Sequence, residues 1–164
     1  MADVHNPGTR SKNMRAIGTR DTAIEKRLAT LLNASGFRFT VQDATLAGRP
    51  DFVLQQYRCI VFTHGCFWHQ HHCELFKIPA TRTEFWLEKI GKNALRDKRD
   101  IARLAEQGWR VLVVWECALR GKNKLAEGAL RDRLEEWICA GIGCAQIDTQ
   151  GIAPLEVTFP PHTG

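Results

Sequence analysis

The 164-residue chain carries a formal charge of +5, with 23 Lys and Arg against 18 Asp and Glu. It is long enough to bury one core, and no apolar run approaches the roughly 20 residues that cross a bilayer. The opening Met-Ala-Asp-Val-His lacks the basic-then-apolar pattern of a secretory signal, so the expected location is the cytoplasm, where the six cysteines read as metal or thiol chemistry and not as a disulfide framework.

In chain order, residues 1–20 are polar, with Arg10, Lys12, Arg15 and Arg20 against only Asp3, and read as a basic N-terminal arm. Thr22-Ala-Ile-Glu25 fits a capping box with Thr22 as N-cap and Glu25 at the third helical position. Ile24, Leu28, Leu31 and Leu32 then recur at helical spacing, and Gly36 can close the helix. Phe37 to Gln42 alternates like a half-buried strand, and Gly48-Arg-Pro50 marks a turn. Phe52–Leu54 and Cys59–Phe62 are apolar runs joined by Gln55–Arg58, which predicts an antiparallel hairpin. A turn centred on Gln56-Tyr57 brings Asp51 opposite Phe62, within reach of Thr63 and His64.

Thr83 to Gln107 is helical in pattern, with a break expected at Gly91. Trp109–Trp115 is the most apolar strand and the expected centre of the sheet. A strand, a long helix and a second strand imply a right-handed crossover to a parallel neighbour. Lys124–Ile138 predicts another amphipathic helix, and the segment 140–164 reads as a weakly structured tail without Lys or Arg, which leaves +7 on the rest of the chain. The expected class is α/β, a mixed sheet with helices on both faces.

The chemistry concentrates in Thr63-His-Gly-Cys-Phe-Trp-His-Gln-His-His-Cys73, which holds four histidines and two cysteines in eleven residues. Thiolate and imidazole in a short loop suit tetrahedral Zn²⁺. Cys66 follows one strand and Cys117 the other. If those strands are parallel neighbours, both thiols converge, which gives the candidate set Cys66, His71, Cys73 and Cys117. His71 is favoured over His72 because an alternating extended loop turns His71 and Cys73 to the same side. Zinc so bound has a structural role. Asp51 at the strand end is a hard oxygen donor suited to Mg²⁺, with the Thr63 carbonyl as a second oxygen. That leaves His64 and His69 for proton transfer and charge stabilisation. Phe67 and Trp68, adjacent in a braced loop, and Trp86 suit stacking on bases. Lys89, Lys92, Arg96, Lys98, Arg99 and Arg103 supply phosphate-binding charge, partly offset by Glu84, Glu88, Asp97 and Asp100. The deaminase pairing of His-x-Glu with Pro-Cys-x-x-Cys does not occur.

Thr9-Arg-Ser-Lys-Asn-Met-Arg15, Gly48-Arg-Pro-Asp-Phe52, Phe62–His69, Thr81-Arg-Thr-Glu-Phe-Trp-Leu-Glu-Lys-Ile90 and Trp109–Cys117 closely resemble the very-short-patch repair endonucleases. The resemblance runs from about residue 9 to 139. It implies a restriction-endonuclease-like fold, with residues 21–139 as the catalytic domain. It also implies a Mg²⁺-dependent, strand-specific endonuclease that nicks double-stranded DNA 5′ to the T of a T:G mismatch left by deamination of 5-methylcytosine. Pro50-Asp51 matches the superfamily motif, while Phe62-Thr63-His64 stands where acid-x-Lys is usual. By matching position, Asp51 and the Thr63 carbonyl would hold Mg²⁺, His69 would be the general base and His64 its phosphate-directed partner. Glu25 would approach the metal's water shell. Cys66, His71, Cys73 and Cys117 match the family's zinc site. Phe67, Trp68 and Trp86 match its intercalating wedge, and Met14 the residue the arm inserts from the minor groove. The expected state is a monomer, with mismatch-repair proteins as further partners. The rival expectation, a zinc-stabilised DNA-binding module without catalysis, leaves Asp51, His64 and His69 idle.

Overall fold

The computed structural model describes residues 22–157, so the basic arm, with Met14, and residues 158–164 lie outside the described residues. Among the described residues six strands form one sheet in sequence order: β1 (Thr40–Val41), β2 (Phe52–Leu54), β3 (Cys59–His64), β4 (Arg110–Trp115), β5 (Ala145–Asp148) and β6 (Gly151–Pro154). The centre, β3-β4-β5, is parallel, and β1, β2 and β6 join antiparallel at the edges. The sheet is therefore mixed. Among the described residues no helix is long and apolar enough to cross a membrane.

The β2–β3 hairpin has the expected register, Phe52↔Val61 and Leu54↔Cys59. Its turn is a short 3₁₀ segment, Gln55–Tyr57, ended by Arg58 in the left-handed region (φ 55°). Only two residues of the expected 37–42 strand pair with β2, although Phe37 still reaches the core.

Alternation splits the core into two layers. Cys59 and Val61 of β3 with Leu112 and Val114 of β4 pack beneath α1 (Thr22–Ala34), which contributes Ile24, Leu28, Leu31 and Leu32. Leu130, Leu134, Trp137 and Ile138 of α4 (Glu127–Ala140) complete that layer. Ile60, Phe62, Val111 and Val113 face the other way, against Ile101 and Leu104 of α2 (Thr83–Glu106). Each such side chain, fully buried, contributes about 1.5–3 kcal/mol. Helices thus cover both faces, and α2 makes the crossover between parallel β3 and β4. A four-residue helix, α3 (Glu116–Leu119), follows β4 directly.

Two expectations are corrected. α2 runs unbroken through Gly91: one glycine costs about 1 kcal/mol in a helix interior, less than the burial of Ile90, Ile101 and Leu104 supplies. The segment after Ala140 is not a loose tail, because Ala145–Asp148 pairs in parallel with β4 and Gly151–Pro154 closes the sheet edge. Ala145 and Ile147 enter the core while Gln146 and Asp148 turn to the α2 face. Arg110 anchors the junction: its guanidinium donates to the carbonyls of Trp137, Gly141, Tyr57 and Ile138 at 2.8–3.1 Å, satisfying the open C-terminus of α4.

Candidate active site

The same alternation aims the polar residues. His64 continues the Ile60–Phe62 side of β3, and Asp51 lies on the Val53 side of β2, so both emerge on the α2 face at the carboxyl end of the central strands. Gly48 makes the approach close. Its φ is +75°, and a side chain there would meet Asp100 at 3.1 Å and Phe62 at 3.2 Å. The result is a cleft of about 620 Å³ lined by Glu25, Asp51, Thr63, His64, His69 and Asp97 among others.

Asp51 Oδ2 accepts the Thr63 backbone N–H at 2.7 Å and the Thr63 hydroxyl at 3.1 Å. Its Oδ1 accepts the Gln42 amide at 2.9 Å, and the same amide reaches Glu25 Oε2 at 3.4 Å. Burial pushes the Asp51 carboxyl up to about 6 against the pull of these bonds, and the Glu25 carboxylate adds to the rise. A buried Asp51 carboxyl beside the Glu25 carboxylate forms a site whose charge a hard cation would relieve. Their oxygens suit Mg²⁺ by type.

His64 is buried, and desolvation, helped by neighbouring His69, holds it well below the usual imidazole range, so it is neutral at pH 7. The two rings stack with centroids 3.9 Å apart and planes 4° apart. His69 Nδ1 is hydrogen-bonded to Asp97 Oδ2 from α2. With that nitrogen donating, Nε2 is the basic atom. One turn earlier on α2, Asn93 donates to the Trp68 carbonyl at 3.2 Å, so the helix grips the loop at two points. Asp97 was read in the sequence only as a partial offset to a basic helix face. Its role depends on which face of α2 meets the loop, for which no local sequence signal exists.

The second cluster lies beside the first. With His64↔Trp115 as the last β3–β4 pair, the chain continues to Cys66 and Cys117 side by side. The ligand atoms of Cys66, His71, Cys73 and Cys117 all lie within 4.8 Å of one another. The loop is not extended as expected. It coils through turns closed by His69 N–H to Gly65 O, Gln70 N–H to Phe67 O and His71 N–H to Cys66 O at 2.9–3.3 Å. These turns carry His71 inward and leave His72 exposed. His71 Nδ1 faces the Cys66 and Cys117 sulfurs at 3.5 and 3.7 Å. Cys117 is drawn down to about 4 by the Cys66 thiol and then by His71, while Cys66 moves the opposite way. Three sulfurs and an imidazole this close are a donor set that suits tetrahedral Zn²⁺ and would fill its coordination with protein atoms.

Phe67, Trp68 and Trp86 meet edge to face at 5.1–5.7 Å. They are half-buried against one another, not freely exposed, and the more exposed ring is Phe85, 42% accessible, which sequence reasoning missed. Lys89 lies 5.8 Å from the Trp68 ring and 5.9 Å from the Phe85 ring.

Residues 2–75 match the model of the family described as DNA mismatch endonuclease Vsr. The chain is 74% identical over 152 residues to the DNA mismatch endonuclease Vsr of Escherichia coli (strain K12), spanning 93% of this chain and 97% of that protein. It is 40% identical over 135 residues to the type II nicking enzyme V.XorIIP of Xanthomonas oryzae pv. oryzae, spanning 82% and 98%. To the type II nicking enzyme V.NmeAIP of Neisseria meningitidis it is 42% identical over 122 residues, spanning 74% and 87%.

Proposed function

This chain belongs to the DNA mismatch endonuclease Vsr family, and from that premise we propose that it is a mismatch-specific endonuclease that nicks one DNA strand 5′ to the T of a T:G pair. The observation that carries the chemistry is the pairing of His69 with Asp97 and neutral His64, in the same cleft as the buried Asp51 carboxyl. The fold reading is restriction-endonuclease-like, with the cutting groups at the end of a mixed sheet. A single chain supplies every group invoked, so a monomer suffices. The cell compartment that fits is the bacterial cytoplasm.

Asp51, the Thr63 carbonyl and, through water, Glu25 would hold Mg²⁺. Bound there, the cation would polarise a phosphoryl oxygen and stabilise the leaving 3′-oxygen. The remaining work falls to the protein. His69 takes a proton from attacking water through Nε2, while Asp97 keeps the proton on Nδ1 and offsets the charge that develops on the ring. His64, neutral and fixed by stacking, presents an N–H to a phosphate oxygen without repelling the imidazolium that forms on His69. Arg96, on the cleft wall, adds positive charge for the backbone. A T:G wobble pair unstacks at lower cost than a Watson–Crick pair, and Phe67, Trp68 and Trp86 are the wedge that exploits the difference. Cys66, His71, Cys73 and Cys117 would hold zinc with no open position for water, a brace for the loop that carries both wedge and base.

The test is a labelled duplex with one T:G pair, incubated with protein and Mg²⁺ beside fully paired and methylated duplexes. One nick on the T strand of the mismatched duplex alone is expected. Equal cutting of paired DNA would make the chain a restriction endonuclease, and binding without a nick would make it a DNA-binding module.

A further inference from the structure

The zinc cluster uses only one nitrogen of His71. While Nδ1 faces the sulfurs, Nε2 points to Asp148 Oδ2 at 3.6 Å. Asp148 ends β5, and its Oδ1 accepts the Gln150 N–H at 2.8 Å, which fixes the carboxylate across the two-residue turn between Asp148 and its partner Gly151. Thr149, within that turn, directs its backbone N–H to the Cys117 sulfur. The His71 ring lies flat on Trp115, with centroids 4.3 Å apart and planes 16° apart. Trp115 is held in turn by Nε1–H donation to Gln146 Oε1 at 2.9 Å. Three residues of one hairpin, Gln146, Asp148 and Thr149, therefore converge on a cluster whose ligands all come from elsewhere in the chain.

We propose that the β5–β6 hairpin is the outer support of the zinc cluster, with Asp148 as the residue that holds His71 in its metal-facing orientation. The inference rests on the zinc reading above. An imidazole that binds a cation through Nδ1 carries its proton on Nε2, and that N–H needs an acceptor. A carboxylate there fixes the tautomer and the ring plane and makes the imidazole a stronger donor. At 3.6 Å Asp148 Oδ2 is the carboxylate oxygen that faces this Nε2, at ion-pair distance. A chain that stopped before β5 would keep all four ligands and still hold the metal poorly.

The test uses the full-length protein, with Zn²⁺ affinity measured by competition against a chromophoric chelator. Asp148→Ala should weaken zinc by about 10- to 100-fold. Asp148→Asn keeps an oxygen toward Nε2 and should stay nearer the parent. Gln150→Ala, in the same turn but with its side chain outside the cluster, should match the parent. The sulfur-to-cobalt charge-transfer bands of the Co²⁺-loaded proteins should be retained throughout, since no ligand is removed. In zinc-loaded parent the His71 Nε2–H should give a slowly exchanging NMR signal that Asp148→Ala loses. Parent-like affinity and a retained Nε2–H signal in Asp148→Ala would overturn the hairpin's role. A parent protein that takes up no zinc would remove the zinc reading and this inference with it.

Discussion

The cleft of Asp51, His64 and His69 and the cluster of Cys66, His71, Cys73 and Cys117 share one strand end, yet they differ in donor type and in closure. The cleft offers carboxylates and imidazoles around about 620 Å³ of open space. The cluster packs three sulfurs and a nitrogen within 4.8 Å of one another. Hard donors around a void suit a cation that must share its shell with water and phosphate. Soft donors without a void suit a cation that must never exchange its ligands. The segment from Thr63 to Cys73 feeds both, so what separates the cleft from the cluster is the direction in which each side chain leaves the loop.

That contrast breaks most sharply at His69. His69→Ala should lower nicking by about 10²- to 10⁴-fold while mobility shifts on a T:G duplex stay parental; equal loss of both would remove its role as base. Cys117→Ser should do the reverse, with zinc content falling below one per chain and melting lowered by roughly 10 °C, nicking being lost only as structure is lost. Asp97→Asn should lower kcat roughly 10- to 100-fold with KM little changed, because it orients His69 without holding DNA. Asp51 sharpens the comparison through pH. A proton and a cation compete for a carboxyl raised to about 6, so the acid limb of the nicking profile should move to lower pH as Mg²⁺ is increased; a limb indifferent to Mg²⁺ would argue against Asp51 as its ligand. For the metal-free fold the sign is opposite to the usual carboxylate. The raised carboxyl favours folding below its ordinary value of 3.8, and that contribution is lost as pH rises through about 6. Denaturant melts of Asp51→Asn should therefore vary less between those two pH values. The smallest effect is expected at Trp115, whose ring meets His64 at 5.4 Å and His71 at 4.3 Å. Trp115→Phe keeps the stack but loses the bond to Gln146, a cost of about 1 kcal/mol in denaturant melts.

How legible these two regions are depends on whether local pattern or distant packing decides them. The hairpin register that sets Asp51 beside Thr63 was legible, because two apolar runs and a tight turn admit few pairings. Cys117 was legible because a strand, a helix and a strand dictate parallel neighbours with aligned ends. His71 does lie with the three cysteines, but the loop brings it there by coiling where an extended path was expected. Asp97 was hidden among five acids of α2, its place beside His69 fixed by helix phase against a loop far away in sequence. The Ala145–Asp148 strand was missed because so short a segment has only two inward apolar residues. Its order comes from pairing with β4, not from its own composition. Trp68, expected to be available for stacking on bases, packs edge to face on Trp86.

The crossover through α2 has a consequence for synthesis. A ribosome finishes Asp51, His64 and His69 before it begins the helix that carries Asp97, and adds Trp115 and Cys117 only after that helix is complete. The groups that line the cleft from one side are thus made first, and the cleft takes its shape only once α2 has folded and β4 has emerged to pair with β3.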